Sequence, residues 1–147
     1  MTLEDRIHSF EEACRRDGLK ITHQRLEIFK ELLNSHDHPT VEKLYNRLQP
    51  KLPTISLDTI YRTLTTLEQH GLVSRVQTLE SQARFESKMD EHLHLICKKC
   101  GNITDFDWQF FNQVDLPTEV ENWGHIEQKN ISLLGLCKQC THDNKSK

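Results

Sequence analysis

The chain carries two Cys-x-x-Cys pairs, Cys97–Cys100 and Cys137–Cys140, and these constrain its fold more than any other feature. A Cys-x-x-Cys turn aims two thiolates at one point, as two corners of the tetrahedron around a zinc ion with Zn–S bonds of about 2.3 Å. Two turns complete four sulfur ligands, which is typical of structural zinc because no ligand position stays open. Since residues 101–136 separate the pairs, zinc is expected to join the two ends of a small domain. A single pair would fit a redox dithiol, but two pairs with basic residues inside them favour zinc.

The use of cysteine also indicates the cellular environment. Four of the five cysteines lie in the two pairs, and no apolar stretch of signal-peptide or membrane length stands at the N-terminus. We therefore expect a cytoplasmic chain without a membrane partner, in which paired cysteines hold metal rather than form disulfides. The formal net charge is −3, and residues 1–85 carry equal numbers of basic and acidic side chains. Any contact with nucleic acid must therefore come from the local placement of basic groups.

The first half of the chain has the periodicity of helices. Apolar side chains recur at helical spacing in four segments, which begin at Leu3 and after the capping residues Thr22, Thr40 and Ser56. Gly71 ends the fourth segment, and beyond it the period changes to that of a hairpin, at 72–76 and 83–86. Four helices, of which the last two form a helix-turn-helix, followed by a two-stranded wing, predict a winged helix.

The second half has the alternation of strands, which we predict at 92–97, 103–108 and 131–137. A helix between 109 and 123 is opposed by Pro117, the polar stretch 78–91 is interpreted as a hinge, and 143–147 as a polar tail. The expected fold class is therefore α+β, with an N-terminal winged helix-turn-helix domain at 1–84 and a small α/β domain at 85–147.

The predicted helix that starts at Ser56 would enter the major groove of DNA. Its Arg62 can bind phosphate or guanine, while Tyr61 and the neighbouring threonines can meet thymine methyl groups or phosphates. Lys20 and Arg25 flank the start of the second helix and suit backbone or minor-groove contacts. The candidate DNA contacts are Lys20, Arg25, Ser56, Thr59, Tyr61, Arg62 and Thr63. A solvated helix face has the same pattern, so these residues alone leave DNA binding open.

A second metal site is indicated by His92 and His94, which stand two residues apart on a predicted strand. Their imidazoles leave the same face of the strand, as two ligands of one ion must. His38, Glu86 and Asp105 are further residues of suitable type, although each also fits a solvent-facing position. A mixed set of imidazoles and carboxylates suits Fe(II), Mn(II) or Zn(II), whereas the four thiolates suit zinc.

Taken together, these segments resemble the ferric-uptake-regulator (Fur) superfamily. The resemblance is carried, in order, by Ile21–Arg25, Asp37–Thr40, Thr59–Leu64, Gly71–Val73, Arg84–Glu86, His92–Cys97 and the two Cys-x-x-Cys pairs. It implies a homodimeric, metal-dependent transcriptional repressor, and not an enzyme, that binds a double-stranded DNA operator and dimerises through its C-terminal domain.

The resemblance also implies the ligands and contacts of this protein. Structural Zn(II) would be held by Cys97, Cys100, Cys137 and Cys140. Regulatory Fe(II) or Mn(II) would be held at the hinge by His38, Glu86, His92, His94 and Asp105. Tyr61 and Arg62 would face DNA, and Lys20 would reach a minor groove.

Within the superfamily, the peroxide-sensing branch is the most similar. Asp105 stands where that branch typically has Asp and iron-uptake regulators have Glu, whereas Glu86 stands where peroxide sensors often have Asp. The branch implies that, with iron bound, hydrogen peroxide oxidises His38 or His92, after which the metal leaves and the target genes are derepressed. Mn(II) would occupy the site without reacting.

Three other functions are compatible with parts of the sequence, and each predicts a different observation. An iron- or zinc-uptake regulator of the same fold is favoured by Glu86 and opposed by Asp105, and its iron form would resist peroxide. A dithiol oxidoreductase would need a reactive thiolate of low pKa in one pair, and zinc retained tightly under reducing conditions would exclude it. A zinc-stabilised module that binds protein would tolerate Arg62→Ala and would give His92 and His94 no role.

Overall fold

The computed structural model describes residues 2–76, 78, 82–87, 92–126 and 129–145, and divides the chain into two compact units. The first unit is Met1–Met89 and the second is Asp90–Lys147. The division therefore lies five residues beyond the expected one. The strand that contains residues 85 and 86 pairs within the first unit, which keeps this segment out of the second.

Four helices and a two-stranded sheet make up the first unit. They are α1 (Leu3–Arg16), α2 (His23–Leu33), α3 (Val41–Leu48), α4 (Leu57–Gln69), β1 (Ser74–Val76) and β2 (Arg84–Glu86). Each helix follows a Thr or Ser whose hydroxyl accepts a backbone N–H from the first turn, at Thr2, Thr22, Thr40 and Ser56. Such a cap satisfies one of the N–H groups that a helix start leaves without an intrahelical partner. The predicted caps at Thr22, Thr40 and Ser56 are confirmed.

The core of the first unit joins the helices to the wing. Strands β1 and β2 are antiparallel, with Ser74 opposite Glu86. Phe85, at the centre of β2, is fully buried in the same apolar cluster as Leu44 of α3 and Leu64 of α4. The predicted winged helix is therefore confirmed. Of the segment interpreted as a hinge, residues 79–81 and 88–91 lie outside the described part of the chain.

The second unit is a small α/β domain. Its elements are β3 (Leu93–Cys97), β4 (Ile103–Phe106), α5 (Gln109–Gln113), α6 (Thr118–Trp123), β5 (Ile131–Gly135) and α7 (Lys138–Lys145). The sheet has the order β4-β3-β5, with β4 antiparallel and β5 parallel to β3. Pro117 does not prevent a helix here, because it precedes the first turn of α6, where a missing N–H costs little. Helix α7 also replaces most of the expected polar tail, and residues 146–147 lie outside the described part.

Large apolar side chains are exposed on the second unit. On β5, Leu133 and Leu134 are 49% and 54% exposed, and Leu95 and Phe106 are exposed on the neighbouring strands. Trp123 of α6 is 78% exposed. Leu95 lies opposite Leu133, so these two exposed side chains are neighbours on one face of the sheet. Neighbouring exposed apolar side chains are typical of an interaction site. Over the described residues, no helix combines the length and the apolar character needed to cross a membrane.

Helix α4 offers a matched pair of substitutions that tests its packing. Leu64 is fully buried, whereas Leu57 on the same helix is 43% exposed. We expect Leu64→Ala to lower the free energy of unfolding of the first unit by about 2–5 kcal/mol, because it leaves a cavity in the core. Leu57→Ala should change it by less than about 1 kcal/mol. Urea unfolding of both variants measures the difference, and equal losses would contradict this placement of α4.

Candidate metal centres and DNA-facing helix

The first Cys-x-x-Cys pair forms the turn between β3 and β4. Cys97 ends β3, and its backbone N–H donates to the carbonyl of Asn102 at 3.0 Å. Gly101 closes the turn with a φ of 78°, a left-handed conformation that glycine adopts without steric cost. The N–H of Gly101 donates to the carbonyl of Cys97 at 3.0 Å. Cys97 and Cys100 are thus carried by a short turn that is closed by its own hydrogen bonds.

The parallel strand β5 brings the second pair beside the first. Its last residue, Gly135, lies opposite Cys97, and the carbonyl of Gly135 accepts the N–H of Lys98 at 2.8 Å. The chain then turns at Cys137 into α7, whose first turn contains Cys140. The N–H of Cys137 donates to Cys97 Sγ at 3.4 Å, so the two pairs are in direct contact.

The four sulfurs fit a zinc ion. All four Sγ atoms lie within 4.8 Å of one another, and Cys100 Sγ is 3.9 Å from Cys137 Sγ. The edge of a zinc–sulfur tetrahedron with bonds of about 2.3 Å is about 3.8 Å. The predicted ligands Cys97, Cys100, Cys137 and Cys140 are therefore brought together in a set that suits structural zinc.

The ionisation of this cluster also favours a cation. The N–H groups of Cys100 and Cys137 donate to Cys97 Sγ and lower the pKa of that thiol to about 6. The hydrogen bond between Cys140 and Cys137 raises the pKa of the Cys140 thiol to about 12. One thiolate therefore forms readily, while its neighbour keeps its proton in the absence of a cation. A dication displaces such protons, because thiolates rather than thiols bind metal.

The second unit also gathers two imidazoles and a carboxylate. His94 lies directly opposite Asp105 in the antiparallel pair of β3 and β4, and His92 leaves the same face two residues earlier. The Nε2 atoms of His92 and His94 are 3.0 Å apart, and each is 3.5 Å from Asp105 Oδ1. Both imidazoles are largely shielded from solvent. The predicted convergence of His92 and His94 is confirmed, and Asp105 joins them.

These distances suit the coordination of one ion. With bonds of about 2.0–2.2 Å, adjacent nitrogen and oxygen ligands around a metal are about 3.0–3.5 Å apart. Two His and one carboxylate on one side of an ion, with the other positions open, are typical of Fe(II) in proteins. This set of three donors differs chemically from the four thiolates, because it suits Fe(II) and Mn(II) as well as Zn(II).

The first unit carries the two other predicted ligands as a pair. His38 Nε2 is 3.1 Å from Glu86 Oε2, and both side chains are buried. His38 has a φ of 51°, which costs a residue other than glycine about 1–2 kcal/mol and persists only where neighbours hold it. The N–H of Phe85 donates to the carbonyl of Pro39 at 3.0 Å, which attaches this segment to β2.

The predicted DNA contacts have different surroundings. Tyr61 and Arg62 are exposed on α4, and Arg62 Nε lies 2.9 Å from Asp58 Oδ2. Lys20 is exposed, and its carbonyl accepts a hydrogen bond of 2.7 Å from Arg25 Nη1. Hydroxyl groups of Ser56 and Thr59 lie 2.9 Å apart at the helix start. Thr63 is only 8% exposed because it faces the core side of α4, so it is withdrawn as a DNA contact.

Two arginines have positions that the sequence analysis missed. Arg75 of β1 lies over the ring of Tyr61 at 5.7 Å and pairs with Glu68 at 3.2 Å, which connects the wing to α4. The positive charge of an arginine is attracted to the electron-rich face of an aromatic ring, so this cation–π contact is favourable. Arg84 of β2 donates to the segment that carries His38. The sequence around an arginine in a short strand does not indicate these contacts, because the residues that it contacts are brought close only by the tertiary structure.

Comparison with known proteins gives the family. Residues 16–133 match the model of the Ferric uptake regulator family. The peroxide-responsive repressor PerR of Staphylococcus epidermidis is 34% identical over 144 residues, which cover 96% of either chain. The structure of the Helicobacter pylori ferric uptake regulator superposes with a TM-score of 0.74 and 28% identity, over 96% of this chain and 95% of that one. The Campylobacter jejuni peroxide stress regulator has a TM-score of 0.67 and 28% identity, over 95% of this chain and 100% of the other.

A winged helix followed by a small α/β domain with thiolate and imidazole–carboxylate metal sites defines a metal-dependent regulator. The chain belongs to the ferric uptake regulator family. The resemblance of the sequence to this family and to its peroxide-responsive members is confirmed.

The four-cysteine site makes a prediction about metal content. We expect Cys100→Ser to lose zinc and to destabilise the second unit, because three thiolates no longer close the site. Cys14→Ala is the matched control, since Cys14 is buried in α1 of the first unit. It should retain one zinc per chain. Zinc is measured by metal analysis after dialysis against a weak chelator, and full retention by Cys100→Ser would contradict the assignment.

Proposed function

We propose that this protein is a metal-dependent, DNA-binding transcriptional repressor that acts as a homodimer and senses hydrogen peroxide. The observation that carries the proposal is the convergence of His92, His94 and Asp105, beside a separate site that suits zinc. Membership of the ferric uptake regulator family supports the role in transcription.

The proposed regulatory site combines both groups of nitrogen and oxygen donors. His92, His94 and Asp105 supply three ligands. An ion that prefers six ligands would therefore bind further donors. The pair of His38 and Glu86 supplies two donors of the same kind from the first unit. Five such ligands would leave one position open. An ion shared in this way would restrict the orientation of the units, and metal binding and DNA binding would then strengthen each other.

The proposed DNA interface is the exposed face of α4. Arg62 suits phosphate or guanine, and Tyr61 is held by Arg75 of the wing in a position to stack or to donate a hydrogen bond. Lys20, Arg25, Ser56 and Thr59 remain proposed contacts near the starts of α2 and α4.

The proposed homodimer is supported by the exposed apolar surface of the second unit. Leu133 and Leu134 stand on β5, an edge strand of the sheet. An edge strand with exposed apolar side chains is suited to pairing with a second chain. Two copies of α4 could then read successive major grooves of an operator.

Peroxide sensing is proposed for the imidazoles of the regulatory site. Bound Fe(II) would give one electron to hydrogen peroxide and take one back from the imidazole under attack, so that the O–O bond breaks and the second oxygen atom leaves as water. His38 or His92 would gain one oxygen atom, lose its ability to hold the ion and so end repression. The likeness to peroxide-responsive repressors and the presence of Asp105 support this proposal.

A metal-uptake regulator is the second candidate, and Glu86 favours it. The Glu86 side chain lies within hydrogen-bonding distance of His38, so a carboxylate with the longer side chain is built into this pair. Such a regulator would use the same residues to bind metal and DNA, and would differ only in its resistance to peroxide.

Operator DNA binding by the zinc-loaded protein tests the function and separates the two candidates. We expect binding with Mn(II) or Fe(II), and its loss after brief, limiting peroxide in the Fe(II) form alone. Mass spectrometry should then find one added oxygen atom on His38 or His92. The Mn(II) form treated in parallel is the control. Binding of the Fe(II) form that survives peroxide, without added oxygen, would favour the uptake regulator.

The DNA interface is tested by Arg62→Ala with Arg6→Ala as its control, since both arginines are exposed in the first unit. We expect Arg62→Ala to weaken operator binding by about 1–3 kcal/mol if Arg62 contacts a base, and Arg6→Ala to have no effect. If Arg62 contacts phosphate instead, the slope of log affinity against log salt concentration should become smaller by about one, because one ion fewer is released on binding. Fluorescence anisotropy at several salt concentrations measures both quantities. Equal affinities of the two variants would contradict the proposed interface.

A further inference from the structure

Arg84 of β2 lies against the segment that carries the proposed ligand His38. Its Nε donates to the carbonyl of His38 at 2.8 Å, and its Nη2 donates to the carbonyl of Asp37 at 3.1 Å. The side chain is 8% exposed, so these bonds are shielded from water. One guanidinium therefore holds two consecutive carbonyl groups, at the residue whose φ is 51°.

The geometry of β2 explains why one strand reaches both the backbone and the side chain of this ligand. Residues two apart on a strand point to the same face, so Arg84 and Glu86 lie on one side of β2. Arg84 meets the backbone at His38, and Glu86 meets its imidazole at 3.1 Å. Between them, Phe85 anchors the strand in the core. The bridge between Thr40 and Arg84 extends the same attachment.

A guanidinium suits this task better than other side chains. Its N–H groups have a fixed planar arrangement, so two acceptors that bind it are fixed relative to each other. A lysine ammonium on a flexible stem could satisfy a carbonyl without fixing the angle between two. A buried carbonyl that loses its donor also carries a desolvation cost, which favours another conformation of the segment.

We propose that Arg84 is a positioning residue for the regulatory metal, which keeps the His38 backbone in its left-handed conformation so that the imidazole stays beside Glu86. Arg84 itself touches no ion. The inference rests on the proposed ligand role of His38. It adds that Arg84, through the backbone of His38, contributes to the affinity of the site for the regulatory ion. Residues that orient metal ligands typically change metal affinity by about 10–100-fold when they are replaced.

The test is the affinity of the zinc-loaded protein for Mn(II), measured from the electron paramagnetic resonance signal of free Mn(II). We expect Arg84→Gln to weaken binding by about tenfold or more, because glutamine cannot hold both carbonyls. Arg84→Lys should give an intermediate affinity. It also preserves the test if the glutamine variant does not fold. Zinc content should stay at one per chain in both variants.

Two controls separate positioning from other effects. Ile28→Val removes one methylene from a fully buried side chain in α2 and lowers the stability of the same unit away from the metal ligands. It should leave Mn(II) affinity unchanged. If Arg84→Gln and Arg84→Lys bind Mn(II) as tightly as Ile28→Val does, the inference is overturned. His38→Ala tests the underlying proposal, and unchanged Mn(II) affinity in that variant would overturn the ligand role of His38 and the inference with it. A loss in His38→Ala without a loss in the Arg84 variants would overturn the inference alone.

Discussion

The turn from Cys97 to Gly101 is the constraint on which the second unit depends. Because this turn pairs Ile96 with Ile103, His94 must lie opposite Asp105, and His92 must leave the same face of the sheet. A shift of one residue would move Asp105 to the other face. The thiolate cluster and the imidazole–carboxylate cluster therefore share one hairpin. Zinc at the turn would stabilise the register that brings the proposed regulatory ligands His92, His94 and Asp105 together, although zinc itself would lie in a separate site.

Zinc would also compensate for the modest core of this unit. Among the described residues of this unit, few apolar side chains are buried, such as Leu93 and Ile96 of β3 and Ile103 of β4, while Leu133 and Leu134 of β5 are exposed. A small domain with little buried surface typically needs a metal, a disulfide or a second chain for stability. The four thiolates at the end of the sheet would hold such a metal, and a second chain packed on β5 would bury the exposed leucines. The first unit has a larger core, in which residues of its four helices and Phe85 of β2 share one apolar cluster.

The features predicted from sequence are those that neighbouring residues determine. A hydroxyl at Thr22, Thr40 or Ser56 before an apolar stripe specifies a helix start, and spacing by two places His92 and His94 on one face. The family resemblance, rather than spacing, indicated Asp105, although the turn could have given its register. Thr63 lies three residues after Ile60 and therefore faces the core, although its polar side chain predicts an exposed position. The role of Arg84 depends on carbonyls more than forty positions away, which local sequence does not reveal.

Strand β2 connects the chemistry of the proposed regulatory site to the helix that would read DNA. Phe85 packs into the core with Leu64 of α4, and the next residue, Glu86, contacts His38. An ion held by His38 and Glu86 would thus be attached to the core beneath α4 through a few buried contacts rather than through a flexible loop. By linkage, an ion that strengthens operator binding is itself bound more tightly on DNA by the same factor, so release of the ion would remove that factor from the operator affinity. Oxidation of His38 and displacement of its backbone would therefore act on DNA affinity by the same route.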